Sequence, residues 1–418
     1  MQLKTKSIKG MTLALLMLIA AMAGCIGSED ETTEEEETKA AFLDASDAGY
    51  TYASNVDNHR SLMQDLCDIK TAASENNWAE AKSIYTEGKN AEKSDGSFRT
   101  LAGFAAAEGK NHNYDTFYNQ TGAIGAHIMH AMDGTGDFEG ASDTVRYQGI
   151  AKLTANMGMV GYTIHELNAA VAKADAGNTD NDSGAPHNWD EGWAFFHGPD
   201  EHWSCSPAYT MKKRAADYGT ETDGVSNALS ASEQAMVDGL AALQAGDKTA
   251  YDAATETVVK NIIITYSQAT LKYTMKMDSN ESAAKYQAEG YAFWKTMEAY
   301  AAPYTDGCYN MAVHKVFMMG DIDASTCDAF MWTQHQGQGD YMCYNTVTHQ
   351  VSTDVSNETE CDGYAAAYFQ DMYGADKINE ILNLKDASKH GTSYDIAPHL
   401  ERVWAHYGIT ADDIGTYA

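Results

Sequence analysis

Proline is scarce in this sequence, at five in 418 residues, while alanine and methionine are plentiful. That balance favours helices over a β-sandwich or barrel. Basic residues are also few: 28 Lys and Arg stand against 60 Asp and Glu, a formal net charge of −32. Nucleic acid is therefore disfavoured as a partner. Such a surface repels anions and gathers cations, and it equally suits solubility in a saline medium. No Cys-x-x-Cys pair occurs, which argues against a thiolate zinc site or attached c-type haem. No Glu-x-x-His occurs either, which argues against the paired-motif di-iron bundle. The string "HELNA" at 165–169 begins like a zinc-peptidase helix, but Ala169 stands where the second histidine is needed. Phosphate loops, dinucleotide fingerprints and nucleophile elbows are missing.

Long apolar runs are absent apart from one near the start. Lys4, Lys6 and Lys9 precede an apolar run of about 13 residues at 11–23, shorter than the roughly 20 that span a bilayer. This is the pattern of an export signal. It ends in Met-Ala-Gly-Cys, similar to a prokaryotic lipobox, so residues 1–24 are expected to be a lipoprotein signal peptide and Cys25 the lipidated residue. Cleavage there removes three lysines and no acid, taking the formal charge to −35. "SEDETTEEEET" follows, with seven acids in eleven residues, too charged to pack. Residues 25–44 are expected to be a disordered tether, the body standing outside the cell membrane or in the periplasm.

Six cysteines remain, and an even number in an exported chain suggests three disulfides. Proximity favours Cys308 with Cys327 and Cys343 with Cys361. In residues 150–173, Leu153, Met157, Val160, Ile164, Leu167 and Val171 recur at helical spacing. Leu62, Leu66, Ile69 and Ala73 repeat the pattern, as do Met236, Leu240 and Leu243. The expected fold is all-α, built from two related helical-bundle halves at 45–224 and 225–418. A loop-rich, disulfide-stapled insertion is expected at about 305–362, where Gly, Cys, Asn and Tyr accumulate.

The relation between halves rests on a shared pattern. "HNWDEGWAFFHG" at 187–198 is echoed by "YQAEGYAFWKT" at 286–296, and each follows a long helical segment and a polar loop. The echo keeps Glu289 and the aromatic core but lacks the Asp and both histidines. On one helix Asp190 and His197 lie roughly 10 Å apart along the axis, so an ion would need ligands from neighbouring helices. Glu166 points from an otherwise apolar stripe and needs a buried partner, either a metal or a Lys, Arg or Tyr side chain. His127 and His130 are spaced i, i+3 and can share an ion or simply face solvent. Asp190 and Glu191 could instead stabilise the positive N-terminal end of their helix.

Three stretches, "IYTEGKNAEKSDGSFRTLAGFA" at 84–105, "HNWDEGWAFFHG" and "MKKRAADYGT" at 211–220, resemble the signature stretches of the low-iron-inducible periplasmic proteins, also called Fea-type iron-assimilating proteins. The resemblance implies an extracellular protein that aids iron uptake, with Asp190 and Glu191 at its motif and Glu289 as their counterpart. Ferric iron, a hard cation, suits carboxylate and imidazole donors. The expectation is an iron-binding surface lipoprotein, not an enzyme, with ligands drawn from Asp190, Glu191, Glu166, His127, His130 and Glu289. It would meet the membrane only through its lipid and pass iron to a membrane transporter. A metal-free structural or adhesive protein and a metal-dependent enzyme are the alternatives.

Overall fold

Short polar residues and left-handed glycines mark where the helices begin and end. The structure, a computed structural model, describes residues 47–106, 113–310, 315–317, 330–334, 341–346, 351–352, 355–365, 368–370 and 372–418. In chain order come α1 (Asp57–Ser74), α2 (Trp78–Glu87), α3 (Ala123–Asp133) and α4 (Asp143–Lys152). There follow α5 (Met159–Asp175), α6 (Ala185–Phe196), α7 (Pro207–Tyr218), α8 (Asn227–Ala245), α9 (Lys248–Met275) and α10 (Ala283–Ala301). Near the end are α11 (Tyr373–Ile381) and α12 (Ala397–His406). Side chains of Asn77, Ser142, Ser206, Ser226 and Asp247 accept from the first free N–H groups of α2, α4, α7, α8 and α9. Gly134, Gly219 and Gly246 end α3, α7 and α8 with positive φ.

The stripe expected over 150–173 is buried except Val171, which is half-buried, but the segment is not one regular helix. Between α4 and α5 the chain makes a π-helical turn, Leu153–Gly158. Side chains compete for the backbone there: Thr154 Oγ1 donates to the Ile150 carbonyl and Asn156 Nδ2 to the Lys152 carbonyl. Turns of this kind frequently mark functional sites.

Each of the two helices carrying the shared pattern lies against the long helix before it: α6 on α5, and α10 on α9. The glycine after each glutamate permits this. A Cβ at Gly192 would stand 3.1 Å from Leu167 Cδ2, and one at Gly290 would stand 2.8 Å from Leu382 Cδ2 and 3.4 Å from Tyr273 Cβ. The aromatics that follow, Trp193, Phe195 and Phe196 in α6 and Tyr291, Phe293 and Trp294 in α10, are all buried. Each buried phenylalanine contributes roughly 1.5–3 kcal/mol. One continuous apolar core runs through both regions, and the described residues belong to a single compact unit, Asp44–Ala418.

The region expected to be loop-rich contains short strands in its described parts. β3 (Gly307–Asn310) pairs antiparallel with β4 (Lys315–Phe317) and β8 (Tyr368–Gln370); β6 (Tyr341–Asn345) pairs antiparallel with β5 (Phe330–Gln334) and β7 (Val351–Ser352). A two-residue pair, β1 (Glu221–Thr222) with β2 (Val225–Ser226), precedes α8. Tyr, Phe, Trp and Val favour a pleated surface, and the Gly and Asn residues between them mask that pattern in the sequence. Cys343 and Cys361 form a disulfide and, with Phe330 and Val355, make a small separate core. A second disulfide joins Cys67 of α1 to Cys205. Cys308 lies on β3, whereas Cys327, Cys25, the signal segment and the tether lie outside the described residues. Among the described residues no helix is long and apolar enough to cross a membrane.

Candidate metal centre

Glu191 and Glu166 meet. α6 delivers Glu191 and, one turn earlier, His187; α5 delivers Glu166; α1 delivers His59. Glu191 Oε1 lies 3.2 Å from Nε2 of His59 and 3.2 Å from Nε2 of His187. The Glu166 carboxyl also interacts with that of Glu191 and lowers its pKa. Asn188 Nδ2 donates to Glu166 Oε2, His165 Nε2 stands 3.9 Å from Glu166 Oε1, and the buried Asn188 Oδ1 has no hydrogen-bond partner. Burial pushes the Glu191 carboxyl up, but the hydrogen bond from His187 and the charges of His59 and His187 outweigh it and hold it at about 2. The same bond lifts the His187 imidazole above its usual value.

The chamber has one dry wall and one wetter side. The His59 ring sits 5.7 Å from Phe104 and 5.6 Å from Phe195, and those two rings meet edge to face at 5.0 Å. Glu166 is 2% exposed, while the side chains of Glu191 and His187 are 13% and 26% exposed. Access is therefore past His187.

Asp190 faces away from this chamber. Its carboxylate accepts from Tyr50 Oη at 2.9 Å, from the backbone N–H groups of Ala53 and Ser54 at 2.8 Å each, and from Ser54 Oγ at 3.0 Å. Burial pushes this carboxyl up to about 7 against the pull of those bonds. Ser54 Oγ also lies 2.8 Å from His187 Nδ1. Because the hydroxyl's single proton goes to Asp190, it accepts from His187 Nδ1–H, which turns Nε2 toward Glu191. The adjacent acids thus divide their work: Glu191 enters the chamber and Asp190 orients His187 from behind, as outer groups orient a metal-binding imidazole. Neither stabilises a helix end, since α6 begins at Ala185 and both lie past its first turn.

The other expected ligands are elsewhere. His127 of α3 is bound through Nδ1 to the Ala123 carbonyl at 2.8 Å and tilts on Tyr118, and burial lowers its pKa. His130, one turn on, lies against the Gly136 turn. Glu289 faces cations: Lys152, Lys285, Arg214 and Lys276 all act on it, although burial still pushes its carboxyl up. Four separate elements hold these six residues, and only Glu166 and Glu191 share a chamber. His187 stands four residues before Glu191, a signal present in the sequence; His59 comes from a helix with no local mark of it.

Among the described residues no group of three or more His, Cys, Asp and Glu side chains is placed to hold a metal ion. In the chamber the donors contact one another, and an entering ion would replace the protons between them. The profile of the low iron-inducible periplasmic protein family matches residues 15–315. The chain belongs to this family. No curated protein and no solved structure matches it. Low iron-inducible periplasmic proteins are named for where they stand and what induces them, not for an enzyme activity, and the link to iron gives the chamber its first candidate cargo.

Proposed function

We propose that this low iron-inducible periplasmic protein is an exported, lipid-anchored iron-binding protein. It takes up ferric iron between Glu191, Glu166, His59 and His187 and gives it up to a membrane transporter. One observation carries this reading: the 3.2 Å spacing of Glu191 Oε1 from both imidazole Nε2 atoms. Donors this close can be bridged by one ion with bonds of about 2.0–2.1 Å, the length of metal–imidazole and metal–carboxylate bonds at zinc. Two carboxylates and two imidazoles from three helices also suit a hard cation, and the orphan Asn188 Oδ1 adds an oxygen beside them.

The test is metal analysis of protein purified without chelator, followed by iron titration. The wild-type chain is expected to take about one ferric ion, with Glu191→Gln and His59→Gln each weakening it roughly 10–100-fold. A second reading, a metal-free structural or adhesive protein, is favoured by the donors' being bound to one another in the chamber. It predicts a wild-type chain that ignores iron and a Glu191→Ala change that alters stability alone.

A further inference from the structure

The third signature stretch, 211–220, contributes nothing to the iron chamber. Instead α7 places Lys213 and Arg214 in a separate pocket of about 80 Å³, whose other ionisable cations are Lys70 of α1 and Lys152 of α4. No carboxylate lines this pocket among the described residues, although acids outnumber bases two to one in the whole chain. Arg214 is 4% exposed, and its Nε and Nη1 are buried without a hydrogen-bond partner; Nη2 lies 2.8 Å from Asp217, and the guanidinium stands 5.6 Å and 5.9 Å from the centres of the Tyr273 and Phe293 rings. A buried guanidinium with two idle donors is costly unless an acceptor arrives. Glu289 stands near Lys152 and Arg214, and Asp217 pairs with Arg214; neither lines the pocket, and two carboxylates do not balance four cations. Burial above all, with the like charges of Lys70, Arg214 and Lys213, holds the Lys152 amine down at about 8 against the pull of Glu289. The π-helical turn adds Asn156, and the start of α7 adds Ser206 with its helix's positive end.

We infer that this pocket binds a compact multivalent oxygen anion, either a tetrahedral oxyanion such as inorganic phosphate or a small polycarboxylate. The volume holds roughly six water-sized groups, which fits such an anion and excludes a nucleotide. Arg214 supplies single N–H donors from Nε and Nη1, on separate edges of the guanidinium, and the lysines supply charge. This site is independent of the iron reading and is tested on the iron-free full chain.

The experiment is calorimetric titration with sodium phosphate and, separately, sodium citrate at fixed chloride. The wild-type chain is expected to bind at least one of them with an affinity that falls as chloride rises. Phosphate alone identifies an oxyanion site, and citrate alone a polycarboxylate site. Lys70→Gln with Lys213→Gln, two changes outside the packed core, should weaken binding by about tenfold or more, and Arg214→Gln should abolish it. Lys212→Gln, whose side chain lies over Trp203 away from the pocket, serves as the control for net charge. The inference is overturned if neither anion binds the wild-type chain, or if Lys212→Gln weakens binding as much as the double change does.

Discussion

The two helices that share the Glu-Gly-aromatic pattern, α6 and α10, place their glutamates in opposite electrical surroundings. Glu191 meets two imidazoles and a second carboxyl, whereas Glu289 lies in the field of four cations. The backbone reason for the pattern is common to both: glycine lets the helix close on its neighbour, and the aromatics fill the core. What differs is one turn upstream and across the interface. Lys285 stands where α6 has His187, and Ala288 stands where α6 has Asp190. The comparison teaches that the motif fixes packing, while the chemistry of each glutamate is set by residues outside it.

The strongest way to break the comparison is at Asp190. Asp190→Ala leaves a phenol, a hydroxyl and two backbone N–H groups buried without their acceptor, and should lower stability by about 3–5 kcal/mol in urea unfolding. Ala288 lives without such a partner in α10, so an effect at Asp190 below about 1 kcal/mol would show that the anchoring of 50–54 is incidental. A smaller effect separates the glutamates. Glu289→Gln should leave iron titration unchanged and raise phosphate affinity several-fold, because it removes a negative charge that acts on Lys152 and Arg214; weakened iron binding would instead tie the two regions together.

The smallest effect is in the pH profile. Glu191 is held below its unfolded value of about 4.3, so its contribution to stability is present above that pH and fades as pH falls toward 2. His187 is held above its unfolded value of about 6.5, so its contribution is present below that pH and is lost as pH rises through the folded value. The pair therefore stabilises most between about pH 4.5 and 6.5. Glu191→Gln should flatten this limb by about 1–3 kcal/mol in the iron-free protein; an unchanged profile would contradict the pairing. Iron affinity should move the other way across the neutral range, rising with pH as the imidazoles lose protons.

Much of the helical frame was legible, because Leu153, Met157, Val160 and their like repeat with the helix and Ser, Asp and Pro announce its starts. The π-helical turn was not, since Thr154 and Asn156 disturb the backbone through bonds that periodicity does not record. Glu166 and Glu191 could be picked out as acids among apolar neighbours. Asp190 looked the same in one dimension, and only folding shows the 50–54 segment saturating it with donors. His59 was invisible because more than a hundred residues separate it from Glu191, and two of the cations around Glu289, Lys152 and Arg214, arrive from α4 and α7, where no local pattern announces them.

One covalent tie spans both chambers. Cys67 lies two turns beyond His59 on α1, and Cys205, 138 residues away, lines the basic pocket just before α7. Closing so long a loop removes on the order of 5 kcal/mol of unfolded-chain entropy. Oxidation therefore locks the two chambers in a single event. A chain still in a thiol-reducing cytoplasm would lack that lock, and the packing of α1 against the segment before α7 would rest on non-covalent contacts alone.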